Sequence, residues 1–219
     1  MKNQVNKNKA GYKILSFLLG IAFKIYYNPK IVNKENIPSE GPIIIASNHK
    51  HVYDQCLSII ATKRFVHYMA KKEYFEGKLA WFFKLVGCIP VDRGNSEDTS
   101  KEIALEILKE KGAIGIFPEG TRNKTYDTLL LPFKYGTVSM SKKTNAWIVP
   151  CVVTGDYCFR SKNLMIRFGT PFQVGEKEYD EANKILKNDM ERLIEENLKA
   201  TNRTLEEELA SRNQDQKKA

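Results

Sequence analysis

The sequence predicts an α/β protein with a mixed, mostly parallel sheet, helices on both faces of that sheet, and an N-terminal helix that lies at a membrane interface. Short apolar, β-branched runs alternate with helical patterns along the chain, as they do in parallel βαβ units. Polar turns directly follow three of these runs, at 47–54, 92–94 and 118–122. The length of 219 residues is enough for one core, and the chain has no internal repeats.

The elements follow in order from the same patterns. A run at 42–46 is a buried strand, and apolar residues at helical spacing follow it from 52 to 60. The later predicted strands lie at 65–70, 88–91, 113–117, 147–153 and 164–168. The later predicted helices lie at 78–86, 96–111, 136–145 and 182–198. We therefore place the α/β domain at 30–203, with a short extended piece at 30–41, and expect the tail 204–219 to be frayed or disordered.

Residues 1–29 are predicted to form a basic, amphipathic segment that anchors the protein to a membrane. The uncharged apolar stretch runs only from 14 to 23, between Lys13 and Lys24. That is about half of the roughly 20 residues that a spanning helix needs. We expect a helix lying in the interface on the cytoplasmic face of the cell membrane, which makes the protein peripheral or monotopic. A buried core helix is the alternative.

Positive charge is concentrated in the first part of the chain. Residues 1–40 hold 7 basic and 2 acidic side chains and residues 41–175 hold 19 and 12, whereas residues 176–219 hold 9 and 12, so the net charge is +9. This distribution predicts an anionic partner, which at this point is a phosphate ligand, an anionic lipid or a nucleic acid.

The cysteines show no metal-ligand spacing, and no histidine lies near them at such a spacing: Cys56, Cys88, Cys151 and Cys158. We expect all four to be reduced in a cytosolic compartment, and we expect no metal site.

A histidine and an aspartate, His49 and Asp54, lie at the junction between the first predicted strand and its helix. Five positions turn about 500° in a regular helix, so the two side chains cannot face each other within one. They can meet only if His49 lies in the non-helical lead-in, where Asp54 fixes one ring nitrogen and leaves the other free to act as a base. The alternative is a surface histidine beside a first-turn acid that the helix dipole favours.

Convergence of the three strand ends would place six side chains in one crevice: His49, Asp54, Arg93, Glu119, Thr121 and Arg122. The chain has no Gly-x-Ser-x-Gly elbow, Walker loop or Gly-x-Gly-x-x-Gly motif. A dyad without its own nucleophile suits activation of a hydroxyl on the substrate, and arginines suit capture of a phosphate. The pattern therefore predicts acyl transfer to a phosphorylated lipid alcohol.

Four sequence blocks resemble those of the glycerolipid acyltransferases, and the 1-acyl-glycerol-3-phosphate acyltransferases match best. The blocks are Asn48-His49 with Asp54, the run 87–93, the run 117–122, and Val149-Pro150-Cys151. They occur in the family's order, and the similarity covers most of the chain. Two positions depart from the family pattern. His51 replaces a small hydroxyl residue, and Cys151 replaces an aliphatic residue.

The resemblance implies a role for each matched residue. His49 deprotonates the acceptor hydroxyl as it attacks a thioester, and Asp54 orients His49. The acceptor phosphate is held by the second and third blocks, through Arg93, Glu119, Gly120, Thr121 and Arg122. Lys134 is a further phosphate candidate, with a solvated lysine as the alternative.

The implied reaction acylates lysophosphatidic acid to phosphatidic acid at the sn-2 hydroxyl, with acyl-CoA or acyl carrier protein as donor, no cofactor and no nucleic acid. The alternatives are a glycerol-3-phosphate or other lysophospholipid acyltransferase, or a basic membrane- or nucleic-acid-binding module without chemistry.

Overall fold

Seven strands, seven α-helices and two short 3-10 helices lie within residues 9–91, 97–125 and 127–217, which a computed structural model describes. The strands are β1 (Lys30–Val32), β2 (Ile43–Ser47), β3 (Val66–Lys71), β4 (Ile89–Val91), β5 (Ala113–Ile116), β6 (Trp147–Thr154) and β7 (Met165–Phe168). The helices are α1 (Lys9–Tyr26), α2 (Asp54–Ala61), α3 (Ala80–Leu85), α4 (Glu97–Lys109), α5 (Gly136–Thr144), α6 (Tyr179–Ala200) and α7 (Leu205–Lys217).

The strands form one sheet in the order β1-β7-β6-β2-β5-β3-β4. Strand β2 lies at its centre, because it pairs in parallel with both β5 and β6. The pairs β1–β7, β3–β4 and β3–β5 are also parallel, and only β6–β7 is antiparallel among the described strands. The predicted mixed, mostly parallel sheet is thereby confirmed.

Helices cover both faces of the sheet, as predicted. The strand side chains alternate between the faces: Ile43 and Ile45 of β2 join a cluster with residues of α1 and α2. Ile44 points to the opposite face, where it packs with residues of α4 and α5. Ala46 packs there with residues of α5 and α6. The central strand is fully buried because both faces are covered.

Helix α1 is longer than the predicted apolar stretch and has two different sides. Tyr12 and Phe23 are buried, and the Tyr12 hydroxyl accepts a hydrogen bond from the Val66 N–H at 3.2 Å. The opposite side is a row of exposed apolar residues, which we call the α1 apolar row: Ile14, Phe17, Leu18, Ile21 and Ile25. Within the described part of the chain, none of the helices has both the length and the apolar character to span a bilayer.

The C-terminal tail differs from the sequence prediction. Residues from Leu205 form α7 instead of a frayed end; Leu209 packs against the α6 side of the core, and Glu208 is buried. This helix has almost no amphipathic pattern, because most of its residues are polar. Its position depends on ion pairs with residues far away in the sequence, so periodicity within the helix does not predict it.

Candidate active site

The predicted site lies at the carboxyl edge of the sheet, where β2 and β5 end side by side. The loop after β2 carries His49, and the loop after β5 runs alongside it, since the Asn123 N–H donates to the His49 carbonyl at 2.7 Å. The turns at 47–54 and 118–122 therefore converge as expected. The third turn, with Arg93, lies outside the described residues.

His49 and Asp54 meet in the geometry that the spacing required. His49 lies in the non-helical lead-in, and Asp54 is the first residue of α2. His49 Nδ1 and Asp54 Oδ2 are 3.0 Å apart. If Nδ1 carries the proton and donates it to the carboxylate, Nε2 is left as the acceptor, which is the tautomer that a general base needs.

The Asp54 carboxylate is held on both oxygens. Oδ2 also accepts the backbone N–H groups of Lys50 at 2.8 Å and His51 at 2.7 Å. Oδ1 accepts the Tyr157 hydroxyl at 2.9 Å. Asp54 is only 1% exposed, so these donors replace the water that a carboxylate would otherwise bind. The hydrogen bonds stabilise the ionised carboxylate and fix its orientation toward His49.

The His49 ring is also held by stacking. It lies on the Phe117 ring with centroids 3.9 Å apart and planes 10° apart. Its side chain is 20% exposed, compared with 0% for Asp54. The imidazole is therefore fixed on one face and on its Nδ1 side, while part of it reaches solvent.

Glu119 supports the backbone of the site, and this differs from the phosphate-binding role that the resemblance implies. Its Oε1 accepts the His49 N–H at 2.8 Å, and its Oε2 accepts the Leu131 N–H at 2.9 Å. The side chain is buried, and each of its two oxygens accepts a backbone N–H group. The geometry therefore favours a role in holding the His49 loop.

The remaining phosphate candidates lie on the same loop or against it. Gly120 has φ +70°, and a Cβ there would lie 2.8 Å from the Lys134 side chain, so glycine permits both the turn and the approach of that lysine. Thr121 and Lys134 are exposed. Arg122 is half-buried, and its Nε has no hydrogen-bond partner among the described atoms. An unpaired guanidinium donor is the chemistry that an anion requires.

His51 has a different environment from His49. Burial lowers the pKa of His51; Asp54 opposes this effect, and the cations of Lys50 and Arg122 add to it. The ring stacks on Tyr157 with centroids 4.2 Å apart. His51 thus stays neutral at pH 7 and packs beside the dyad.

The cysteines offer no nucleophile in the core. All four are free, as expected: Cys56, Cys88, Cys151 and Cys158. Burial raises the pKa of Cys56 to about 12, and it does the same for Cys88 and Cys151. A thiolate is therefore scarce at pH 7 in these three side chains, which argues against an acyl-cysteine intermediate.

Sequence reasoning missed three residues that support the dyad. Tyr157 lies in a loop with no motif, and its contact with Asp54 joins residues that are 103 positions apart in the sequence. Asn48 hydrogen-bonds through its side-chain amide to both the N–H and the carbonyl of Val153, which continues the sheet beyond β2. Lys50 is buried and ion-paired, although a lysine in a loop predicts exposure. Only Asn48 had a local signal, because it opens the first block.

Comparison with known proteins identifies the family. The acyltransferase family model matches residues 28–154. A 1-acyl-sn-glycerol-3-phosphate acyltransferase of Bacillus subtilis is 31% identical over 166 residues, which are 73% of this chain and 81% of that protein. One of Borreliella burgdorferi is 32% identical over 164 residues, 74% of this chain and 62% of that protein.

A solved structure shares the fold. The crystal structure of the 1-acyl-sn-glycerophosphate acyltransferase PlsC from Thermotoga maritima matches with a TM-score of 0.70 at 21% identity, over 90% of this chain and 83% of that one. The family matches confirm the resemblance of the four sequence blocks. The chain therefore belongs to the 1-acyl-sn-glycerol-3-phosphate acyltransferase family of glycerolipid acyltransferases.

Proposed function

We propose that the protein transfers a fatty acyl group from a thioester to the sn-2 hydroxyl of 1-acyl-glycerol-3-phosphate, giving phosphatidic acid for phospholipid biosynthesis. The donor is acyl-CoA or acyl carrier protein. The observation that carries the proposal is the 3.0 Å contact between His49 Nδ1 and Asp54 Oδ2, beside a loop with an unpaired arginine donor. The acceptor follows from the relatives, which are 1-acyl-sn-glycerol-3-phosphate acyltransferases.

The reaction needs one proton acceptor and no covalent enzyme intermediate. His49 Nε2 takes the proton of the acceptor hydroxyl while that oxygen attacks the thioester carbonyl carbon. The tetrahedral intermediate then collapses, the C–S bond breaks, and the departing sulfur receives the proton from the imidazolium. Asp54 stabilises the imidazolium during both steps. No metal or cofactor takes part.

The acceptor phosphate binds to the loop after β5 in this proposal. Arg122 supplies the charged donor, and Thr121 and the Gly120 backbone supply neutral groups. Lys134 lies against Gly120 and adds a second cation. Arg93, which follows β4 in the sequence, also contributes to phosphate binding, as the resemblance implies. The His49 side chain is 20% exposed and Thr121 and Lys134 are exposed, which suits a lipid whose phosphate stays near water.

Helix α1 holds the protein on the cytoplasmic face of the membrane in the same proposal. The α1 apolar row includes Phe17, which is 67% exposed, and Ile14 and Ile25, each 64% exposed. Exposed apolar side chains in a continuous row mark a contact surface. Lys13 and Lys24 flank the row and would attract anionic headgroups.

Sedimentation with vesicles tests the membrane role. The triple change Ile14→Ser, Phe17→Ser and Ile21→Ser should release the protein from phosphatidylglycerol vesicles. The matched control is Leu205→Ser, since Leu205 is also exposed at 54% but belongs to α7. Unchanged sedimentation of the triple variant would contradict this role.

A panel of acceptors and donors tests the reaction itself. The purified protein should acylate lysophosphatidic acid with a higher kcat/KM than glycerol-3-phosphate or lysophosphatidylcholine, using acyl-CoA or acyl carrier protein. The His49→Ala variant serves as the inactive control. A preference for another acceptor would replace the proposed one, and no transfer from any donor would favour a binding module.

A further inference from the structure

We propose that Glu208, on the C-terminal helix α7, is a positioning residue for the His49–Asp54 dyad and acts through Lys50 and Gly155. The inference rests on the proposed acyl transfer, because it deepens the description of that site. It concerns a buried ion pair that the reaction scheme leaves unused.

Glu208 joins three parts of the chain in the interior. Its Oε1 accepts the Lys50 ammonium at 2.8 Å, and its Oε2 accepts the Gly155 N–H at 2.9 Å. The Lys50 ammonium also donates to the Gly155 carbonyl at 2.5 Å. The Lys50 and Glu208 side chains are each 1% exposed. We call this closed arrangement of Lys50, Gly155 and Glu208 the α7 clamp.

The two segments that the α7 clamp joins are the segments that hold Asp54. Lys50 donates its backbone N–H to Asp54 Oδ2, and Tyr157, two residues after Gly155, donates its hydroxyl to Asp54 Oδ1. Glu208 therefore fixes the donors on both sides of the carboxylate that orients His49. A displacement of Glu208 would disturb both supports at once.

The position of Gly155 allows little adjustment. Its φ is +85°, and a Cβ at this position would lie 2.1 Å from the Asn163 carbonyl oxygen. The backbone at the end of β6 is therefore packed tightly against the start of β7. The α7 clamp joins this tightly packed part of the sheet to the loop after β2 that carries His49, which we call the dyad loop.

A contribution to folding stability does not by itself explain the buried Lys50–Glu208 ion pair. Burial of two charges costs desolvation that their attraction only partly offsets, and apolar replacements of similar volume are often as stable. Removal of one partner, however, leaves an uncompensated buried charge. The charge can regain water only if the dyad loop or α7 moves, so the geometry of the dyad depends on the intact pair.

Arg203 provides a matched control on the other side of Glu208. Its guanidinium contacts Glu208 Oε2 at 3.0 Å and Asp156 Oδ1 at 3.3 Å, and it is 11% exposed. It anchors the start of α7 and contacts Asp156, and in the described part of the chain it has no contact with the loop that carries His49. Loss of Arg203 should therefore weaken the attachment of α7 and leave the Lys50–Glu208 pair in place.

The experiment compares Glu208→Gln with Arg203→Met in the full-length protein. Glu208→Gln should lower kcat by at least about tenfold, because it removes a charged hydrogen-bond partner, with the acceptor KM changed less than about twofold. Arg203→Met should lower the Tm and keep kcat within about twofold of the parent. An unchanged kcat in Glu208→Gln, or equal losses of kcat in the two variants, would overturn the proposal.

A second readout does not depend on activity. The proton shared by His49 Nδ1 and Asp54 should give a downfield ¹H NMR resonance in the parent, assigned by its absence in His49→Ala. We expect Glu208→Gln to remove or broaden this resonance and Arg203→Met to keep it. If the parent transfers no acyl group, the proposed function fails on its own, whereas persistence of the resonance in Glu208→Gln overturns the α7 clamp.

The double variant Lys50→Met with Glu208→Gln covers the case in which Glu208→Gln does not fold. It removes the unpaired buried charge, so folding should be restored. The kcat should remain below that of the parent because the link between the dyad loop and Gly155 is lost. A parent-like kcat in the folded double variant would overturn the proposal.

Discussion

The two sides of the candidate site are built in opposite ways. On the dyad side, Asp54 is 1% exposed and both of its oxygens accept hydrogen bonds within the protein. On the phosphate side, Thr121 and Lys134 are exposed, and the Nε of Arg122 has no partner among the described atoms. The difference matches two needs. Proton transfer requires a fixed geometry, whereas binding of an anion requires donors that are still free.

The largest expected effect is on the dyad side. His49→Ala should lower kcat by about 10⁴-fold, the upper end of what a general base contributes, because no other base is held at this position. Acceptor binding and the Tm should change little. His51→Asn is the control in the same assay and should retain most of the activity. An active His49 variant beside an inactive His51 variant would show that the dyad is misplaced.

Asp54→Asn should approach the same loss, up to about 10⁴-fold, as in the serine protease triads. The amide keeps the size but offers a donor where the carboxylate accepts from Lys50, His51 and Tyr157. It also cannot stabilise an imidazolium. Activity measured beside the Tm separates loss of chemistry from loss of folding, and a kcat near that of the parent would refute the role of Asp54.

The phosphate side should respond in KM. Arg122→Ala should raise the acceptor KM by about 10- to 150-fold, which corresponds to roughly 1.5–3 kcal/mol for a charged hydrogen bond, with a smaller effect on the donor KM. Lys124→Ala is the matched control, because it removes an exposed cation from the same loop. An effect of Arg122→Ala on the donor KM alone would contradict the assignment of Arg122 to the acceptor phosphate.

Tyr157→Phe tests how tightly the dyad side must be held. The change removes one hydrogen bond to Asp54 Oδ1 and keeps the stacked ring, so kcat should fall by about 3- to 10-fold. Tyr53→Phe serves as the control, since Tyr53 belongs to the same aromatic group and is 42% exposed. Equal effects of the two changes on kcat would show that the hydrogen bond from the Tyr157 hydroxyl to Asp54 is not needed for activity.

The smallest expected effect concerns stability in acid. The pKa of His51 in the folded protein lies below the unfolded value of about 6.5, because burial disfavours its charged form. As the pH falls below about 6.5 the unfolded state binds the proton first, so stability present above this pH is lost. The Tm of the parent should fall more between pH 7.5 and 5.5 than that of His51→Asn. An equal fall would assign the acid sensitivity to other groups.

The division between the two sides also explains what sequence could predict. The dyad depends on residues five positions apart at the end of one strand, and the sheet follows from local apolar runs. Both could therefore be predicted from the sequence. Tyr157 and Glu208 reach the site across separations of 103 and 158 residues, and no local pattern marks such contacts. Glu119 belongs to a family motif, but only the structure shows that its carboxyl group accepts the His49 and Leu131 N–H groups.

The position of β2 in the sheet has a consequence for synthesis of the chain. β2 (Ile43–Ser47) leaves the ribosome early, yet its neighbours β5 and β6 end at Ile116 and Thr154. At roughly 5–20 residues per second, the intervening chain takes about 5–20 s to emerge. Until β5 has emerged, the apolar residues 43–46 have neither neighbouring strand, and the α1 apolar row is already exposed. We therefore expect the nascent chain to bind chaperones or the bilayer before it folds. Truncated chains that end before residue 154 should aggregate.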